Sequence, residues 1–269
     1  MAIKITALGT GSADTVKYFQ TAFYVQDEKT NLLIDTGGGS GIRTQLDRFG
    51  IPFYDIKNIF ISHKHIDHIF GVFWILRFRG AAIDSGKASD LTIYSSRENI
   101  ELIKQVSTLF LKKKVTDLFD NKIKFIQLQD NRETSLKDWK VSFFDIQSSK
   151  DSQWGCKIEF PNKKTLTYIG DETYNDAVGS FCENTDYLMH DAYCLEKDRV
   201  NLSPQKIHHS TAKDAAIIAQ KVKAKNLIVF HTEDKITFGQ RKNLYTEEIK
   251  QDYSGNIFVP EDGETIEVK

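Results

Sequence analysis

The apolar positions fall into short β-type runs and longer helical ones along the whole chain. Residues 2–8, 22–26 and 31–35 read as three strands, divided by the turn stretches "GTGSADT" and "DEKT". A helix follows from about Gly41 to Phe49, then a strand at 58–62, a polar turn, and a helix from about residue 69. Further on, the pattern predicts a strand at Thr92–Tyr94 and a helix over Glu98–Phe110. The runs 123–127, 139–146, 155–160 and 165–169 read as successive strands of a second sheet. A strand at 187–190, a helix at 211–221, a strand at 226–230, a helix at 242–251 and strands at 256–259 and 265–268 complete the chain. Strands and helices interleave with no composition break, repeat or low-complexity linker. This predicts one α/β domain over residues 1–269, built from two sheets with helices on their outer faces.

Composition narrows the function classes. Formal net charge is −1, from 36 basic and 37 acidic residues, so nothing marks a strongly basic nucleic-acid surface. The N-terminal "MAIKITALGTGS" has neither the charged region nor the apolar stretch of a signal peptide. The longest apolar run, Ile69 to Leu76, stops at Arg77, too short to span a membrane. The three cysteines, Cys156, Cys182 and Cys194, show no C-x-x-C spacing and read as reduced thiols of a cytoplasmic protein. Lys112, Lys113 and Lys114 read as a solvated helix end, with phosphate binding the lesser option.

The stretch "FISHKHIDHIFG" changes the picture. His63, His65, Asp67 and His68 fall within six residues, and the chain has only seven histidines. The run before them is β-favouring and the run after them is helical, so they sit on a strand-to-helix turn, a usual place for chemistry. Imidazole and carboxylate suit zinc, manganese or iron. His63 and His65 are two apart and point the same way in an extended segment, so they could share one ion. Asp67 and His68 could reach a second. Downstream, Asp171 in "LTYIGDETY" and His231 in "NLIVFHTED" each end an apolar strand, where open α/β sheets place their sites.

The run H-x-H-x-D-H after a strand, followed in order by Asp171 and His231, resembles the metallo-β-lactamase superfamily. "HHSTAKDAAIIAQKVKAKNLIVFH", "YLMHDAYC", "LGTGSA" and "VPEDGETIEV" resemble its ribonuclease Z branch, over nearly the whole chain. The resemblance implies a four-layer αβ/βα sandwich, the metallo-β-lactamase fold. It implies a divalent metal, zinc foremost with manganese or iron as alternatives, at one or two ions per chain. The implied ligands are His63, His65, Asp67, His68, Asp171 and His231, with Asp171 bridging and Asp35 of "LLIDTGGG" orienting its neighbours. His209, Ser210 and Thr211 match the branch's histidine-serine-threonine segment, and His190-Asp191-Ala192-Tyr193 matches its H-E-A-T segment with Asp for Glu.

Two departures stand out. Where the family has a further ligand histidine, six residues before Gly155, this chain has Ser149, and no histidine lies between His68 and His190. Asp151 is the nearest substitute. The flexible arm with which short ribonuclease Z enzymes grip transfer RNA is also missing, because Phe160 runs to Leu166 through "PNKKT".

The expected activity is a metal-dependent hydrolase, foremost a phosphodiesterase on a small or nucleotide-type diester. Metal-bound hydroxide would attack, Asp67 would help hold the ion, and His209, oriented by Asp191, would protonate the leaving group. His208 and His190 are lesser candidates for that role. One alternative is ribonuclease Z-type cleavage of precursor transfer RNA, disfavoured by the missing arm. Another is a weakly active or non-enzymatic ligand-binding relative with a degraded metal site. A lactonase or β-lactamase fits less well, because those lack the His209 segment. RNA is a disfavoured partner, a membrane is not expected, and related proteins often form homodimers.

Overall fold

The computed structural model describes residues 2–130, 132–148 and 151–269. Its strands are β1 (Ile3–Gly9), β2 (Ala22–Gln26), β3 (Asn31–Ile34), β4 (Asn58–Phe60), β5 (Leu91–Ser95), β6 (Ile123–Gln127), β7 (Arg132–Leu136), β8 (Trp139–Asp145), β9 (Trp154–Glu159), β10 (Thr165–Tyr168), β11 (Tyr187–Asp191), β12 (Asn226–Phe230), β13 (Asn256–Phe258) and β14 (Thr265–Val268). Its helices are α1 (Gly41–Arg48), α2 (Ile66–Ile69), α3 (Gly71–Asp84), α4 (Arg97–Phe110), α5 (Lys113–Thr116), α6 (Gly179–Cys182), α7 (Arg199–Leu202), α8 (Ala212–Lys221) and α9 (Arg241–Ile249).

The chain forms two compact units, each built on one sheet. The first holds the residues up to Gly9, Phe19–Gln129 and Asp262–Lys269. Its seven-stranded sheet has the order β14-β1-β2-β3-β4-β5-β6, antiparallel from β14 to β3 and parallel from β3 to β6. Helices α1 and α3 turn Ile42, Leu46, Val72, Ile75, Leu76 and Ile83 into its core, against Leu33, Ile59 and Ile93 of the sheet. The second unit holds Thr10–Tyr18 and Asp130–Glu261, on the sheet β13-β12-β11-β10-β9-β8-β7. There α8 buries Ala212, Ala215, Ala216 and Ala219, small side chains that let the helix approach β11 and β12 closely.

The strands differ from the sequence reading in two places. The run 123–127 was expected in the second sheet, yet β6 pairs in parallel with β5, Leu91 opposite Ile123, at the edge of the first. A β-favouring run does not say which neighbour it will join, and Ile123 is held by burial in the first unit's core. Strand β7 has no counterpart in the expected elements. Among the described residues it is a sheet edge paired with β8 alone, and of "RETSL" only Leu136 is buried, so no apolar alternation announces it. The lysines do not close α4 as expected: Lys112 caps the start of the next short helix, α5, and Lys113 and Lys114 open it, pairing at the surface with Asp117 and Asp84.

One glycine is fixed by close approach. A Cβ on Gly71, the first residue of α3, would stand 1.9 Å from the Thr36 carbonyl oxygen. The Gly71 amide donates to the Gly37 carbonyl at 2.9 Å, so the start of α3 lies directly on the glycine loop that follows Asp35.

Cys156, Cys182 and Cys194 are all buried and are not joined in disulfides. Burial pushes the Cys182 and Cys194 thiols from an ordinary 9.0 up to about 12. The folded thiols thus keep their protons where unfolded ones lose them. Their stabilising contribution is complete below about pH 9 and is lost as the pH rises toward 12. We expect the native protein at pH 8 to resist a thiol-specific reagent over hours, while the protein in urea titrates three thiols at once. Rapid native labelling would show that these sites open or are exposed.

Candidate metal and proton-transfer site

In the first unit, parallel pairing of β3 with β4 sets Ile34 opposite Phe60 and brings the next residue, Asp35, beside the turn after β4. Asp35 is fully buried and turns the chain in the left-handed region, at φ 55°. Its carboxylate accepts from the Ser62 amide at 2.8 Å and the Ser62 hydroxyl at 2.7 Å. Its Oδ2 also lies 2.8 Å from His68 Nδ1. A carboxylate only accepts, so His68 carries its proton on Nδ1 and leaves Nε2 as the nitrogen that could take an ion. The single Ser62 hydroxyl proton goes to Asp35, so Ser62 Oγ accepts from His63 Nδ1 at 3.0 Å, and His63 also presents Nε2.

One buried carboxylate therefore fixes two imidazole rings, His68 directly and His63 through a hydroxyl. The three rings stand close together, with centroids 4.4 Å apart for His63 and His65 and 4.1 Å for His63 and His68. His63 and His65 belong to the turn, whereas Asp67 and His68 lie in the short helix α2, which the sequence pattern had started later. Asp67 Oδ2 is 3.3 Å from His68 Nε2.

In the second unit, β10, β11 and β12 run parallel, with Tyr168 opposite Met189 and Asp191 opposite Phe230. That register brings Asp171, Asp191 and His231 to one carboxyl edge of the sheet. His231 adopts φ 58° as the chain turns out of β12. Asp171 Oδ2 lies 3.5 Å from His231 Nε2. Asp171, His209 and His231 each aim one ligand-type atom into a common space, all within 4.8 Å of one another.

The His209 loop is held by backbone contacts to the same edge. Tyr193 donates to the Ser210 carbonyl at 2.9 Å and Ala212 to that of Cys194 at 2.9 Å. Thr211 then caps α8 in a reciprocal box with Asp214, which stops the segment from shifting along the helix. His209 Nδ1 lies 3.0 Å from Asp191 Oδ2, and the Ser210 amide lies 3.3 Å from both Asp191 oxygens. The shorter Asp in place of Glu therefore still reaches the imidazole. His190 donates from Nδ1 to the Asp191 carbonyl at 2.8 Å. Asp191 is fully buried. Burial alone would raise its carboxyl; hydrogen bonds from His190 and His209 outweigh that and hold it below the ordinary carboxylate value.

These donor sets fit a divalent ion: three imidazoles and a carboxylate in the first unit, two imidazoles and a carboxylate in the second, all buried or half-buried. Ser149 lies outside the described residues. Asp151 is half-buried and joins no ligand group found among the described residues. The sequence reading missed two side chains. Ser62, the relay to His63, carried no signal beyond preceding the motif. Glu172, next to Asp171, is buried with its Oε1 3.3 Å from His208 Nδ1, and nothing in "GDETY" distinguished it from a solvated loop acid.

Comparison with known proteins agrees with this architecture. The solved structure of the metallo-β-lactamase fold protein YhfI from Bacillus subtilis superposes with a TM-score of 0.81 over 100% of both chains, at 21% identity. The ribonuclease Z of Picrophilus torridus is 29% identical over 280 residues, covering 85% of each chain. That of Archaeoglobus fulgidus is 25% identical over 319 residues, covering 100% of this chain and 98% of the relative. With 269 residues here, the Archaeoglobus protein carries segments that this chain lacks. The fold and the ordered ligand motifs define a ribonuclease Z-like, metal-dependent hydrolase of the metallo-β-lactamase superfamily. Within it, the chain belongs to the family described as anti-Pycsar protein Apyc1, whose model matches residues 3–251. Among the described residues no helix is long and apolar enough to cross a membrane.

Proposed function

We propose that the protein is a phosphodiesterase acting on a small or nucleotide-type diester. His63, His65, Asp67, His68, Asp171 and His231 are its metal ligands, with zinc the first choice of ion. The observation that carries this reading is the buried Asp191–His209 pair, 3.0 Å apart, whose imidazole shares its space with the ligand-type residues Asp171 and His231. A bound divalent ion supplies a nucleophilic water at neutral pH and neutralises charge on the attacked group.

The chain's own residues do the rest. Asp35 fixes the rings of His63 and His68. Asp191 accepts from His209 Nδ1, which keeps the ring oriented and leaves Nε2 to protonate the leaving oxygen. A phosphodiester whose leaving group is an alkoxide needs that proton.

Cleavage of precursor transfer RNA is the second reading, favoured by the relatives named ribonuclease Z. Against it, β9 and β10 form a direct hairpin. Phe160 donates to the Lys164 carbonyl at 2.9 Å and Lys163 to that of Phe160 at 2.9 Å, with no inserted segment. The test is a panel of a nitrophenyl phosphodiester, cyclic nucleotides, precursor transfer RNA, a lactone and a β-lactam, each with zinc-loaded protein. We expect hydrolysis of the first two; turnover of the RNA alone would move the assignment to the second reading.

Ser149 at the family's histidine position leaves one site short of an imidazole ligand. We expect dialysed protein to retain nearer one metal ion per chain than two by elemental analysis, and Ser149→His to raise that number. Two firmly held ions in the unaltered protein would show that another group completes the site.

A further inference from the structure

We propose that a cleft of the first unit, at the end of the sheet away from the turn that carries His63 and His65, is a further binding site, and that it takes a small zwitterion, a free α-amino acid or a dipeptide. The proposal is independent of the phosphodiesterase reading. Three observations carry it.

The first is the cleft. It holds about 600 Å³ between the turn from β2 to β3, the loop at residues 49–57, and strands β1 and β14. That volume falls in the range of small-molecule sites. Asn31 opens β3 beside the cleft, and Asp35 follows the other end of that strand. Lys57 precedes β4 in the same way, and His63 follows it. Strand β3 has four residues, so at ~3.3 Å per residue it sets the two places on the order of 13 Å apart.

The second is Tyr24. It lines the cleft, yet only 2% of it is exposed. Among the described residues its hydroxyl makes no hydrogen bond. Burial, helped by the nearby Asp55 carboxylate, raises the phenol above its ordinary 10.0, so the hydroxyl keeps its proton and stands at the cleft floor as a donor. A buried donor left without an acceptor costs stability, and an acceptor brought by a ligand recovers it.

The third is the charge pattern. Lys4 and Lys57 bring cations to the cleft, Glu28 and Asp55 bring anions, and all are exposed. Among the described residues these side chains close no ion pair with one another. Asn31 fixes the loop that carries two of them. Its Nδ2 donates to the Asp55 carbonyl at 2.9 Å, and its Oδ1 accepts from the Lys57 amide at 2.9 Å. The Lys57 ammonium donates to the Lys29 carbonyl at 3.2 Å, and an ammonium has three protons to give. A ligand of one sign would face two side chains of its own sign. A zwitterion meets both: its ammonium goes to the acids, and its carboxylate goes to the lysines and the Tyr24 hydroxyl.

The test is calorimetry on the full-length protein, titrated with the common amino acids and a set of dipeptides. Inorganic phosphate and putrescine serve as ligands of a single sign. We expect at least one zwitterion to bind with a Kd below ~1 mM and to raise the Tm, with neither control binding as tightly. Tyr24→Phe removes only the hydroxyl, so the free protein should keep its Tm while the zwitterion's Kd rises about tenfold, the scale of one lost charge-assisted hydrogen bond. Lys57→Gln, a surface change, should weaken binding in the same direction. Neither variant should change the zinc content, because the cleft lies at the other end of β3 and β4 from the candidate ligands.

Phosphate or putrescine binding as tightly as every zwitterion would overturn the proposal. A zwitterion whose affinity survives both Tyr24→Phe and Lys57→Gln binds elsewhere, and that result would overturn it too. A wild type that binds none of the titrants sinks the site altogether. Because the readout is binding, a protein that takes up a zwitterion here but cleaves no phosphodiester keeps this site and loses only the phosphodiesterase reading.

Discussion

Asp67→Ala should abolish hydrolysis of every substrate the protein accepts, lowering kcat/KM by on the order of 10³-fold or more, because the several kcal/mol of charge stabilisation that a bound ion provides go with the ligand. The side chain is buried at the start of α2, with its Oδ2 3.3 Å from the His68 Nε2 that the Asp35 hydrogen bond aims outward. Its removal leaves the two rings held by Asp35 in place, since none of those hydrogen bonds involves Asp67. The variant should therefore keep its far-ultraviolet circular dichroism and lose activity on a nitrophenyl phosphodiester and on a nucleotide diester to the same degree. Elemental analysis should show less metal per chain. Retained turnover with retained metal would remove Asp67 from the ligand set.

His209→Ala should act differently on the two substrates. A ribose alkoxide is a poor leaving group and needs a proton, so the nucleotide diester should lose about 10²–10⁴-fold in kcat/KM, the usual contribution of general acid catalysis. Nitrophenolate departs unaided, and that activity should fall little. Asp191→Asn should show the same bias more weakly. The asparagine can still stand beside His209 Nδ1 and the Ser210 amide, but it no longer stabilises the imidazolium. Each variant is scored by the ratio of its two kcat/KM values. An equal fall on both substrates for His209→Ala would mean that the imidazole positions the phosphate or ligates the ion.

The edges that carry the candidate ligands were legible because they combine two independent patterns: a β-favouring run, and a histidine or aspartate at its carboxyl end. Asp35, Asp171 and His231 each end such a run, and β3, β10 and β12 lie where the runs predicted. The contact between Asp191 and His209 was expected only through the resemblance, because the two are not neighbours in sequence and meet where β11 lies against the loop before α8. What hydrophobic pattern could not convey is what contacts decide. Strand β6 joined the first sheet because Ile123 found its core there, and β7, an edge strand with a solvated face, left no alternation to detect. Ser62 and Glu172 are ordinary polar residues in sequence, and their contacts with Asp35 and His208 show only in the folded chain. The strained backbones of Asp35, His208 and His231, all non-glycine residues at positive φ, were likewise invisible before the chain was folded.

The central claim is that bound metal and the chain's acid–base pair together hydrolyse a phosphodiester. The most direct test is the rate of hydrolysis of a nucleotide diester by chelator-stripped protein titrated with zinc. The account predicts no turnover in the stripped protein, a rise that saturates as the ligand residues fill, and no such rise in Asp67→Ala over the same range of zinc. Full activity in the stripped protein, or a zinc-loaded wild type that leaves every phosphodiester intact, would contradict it.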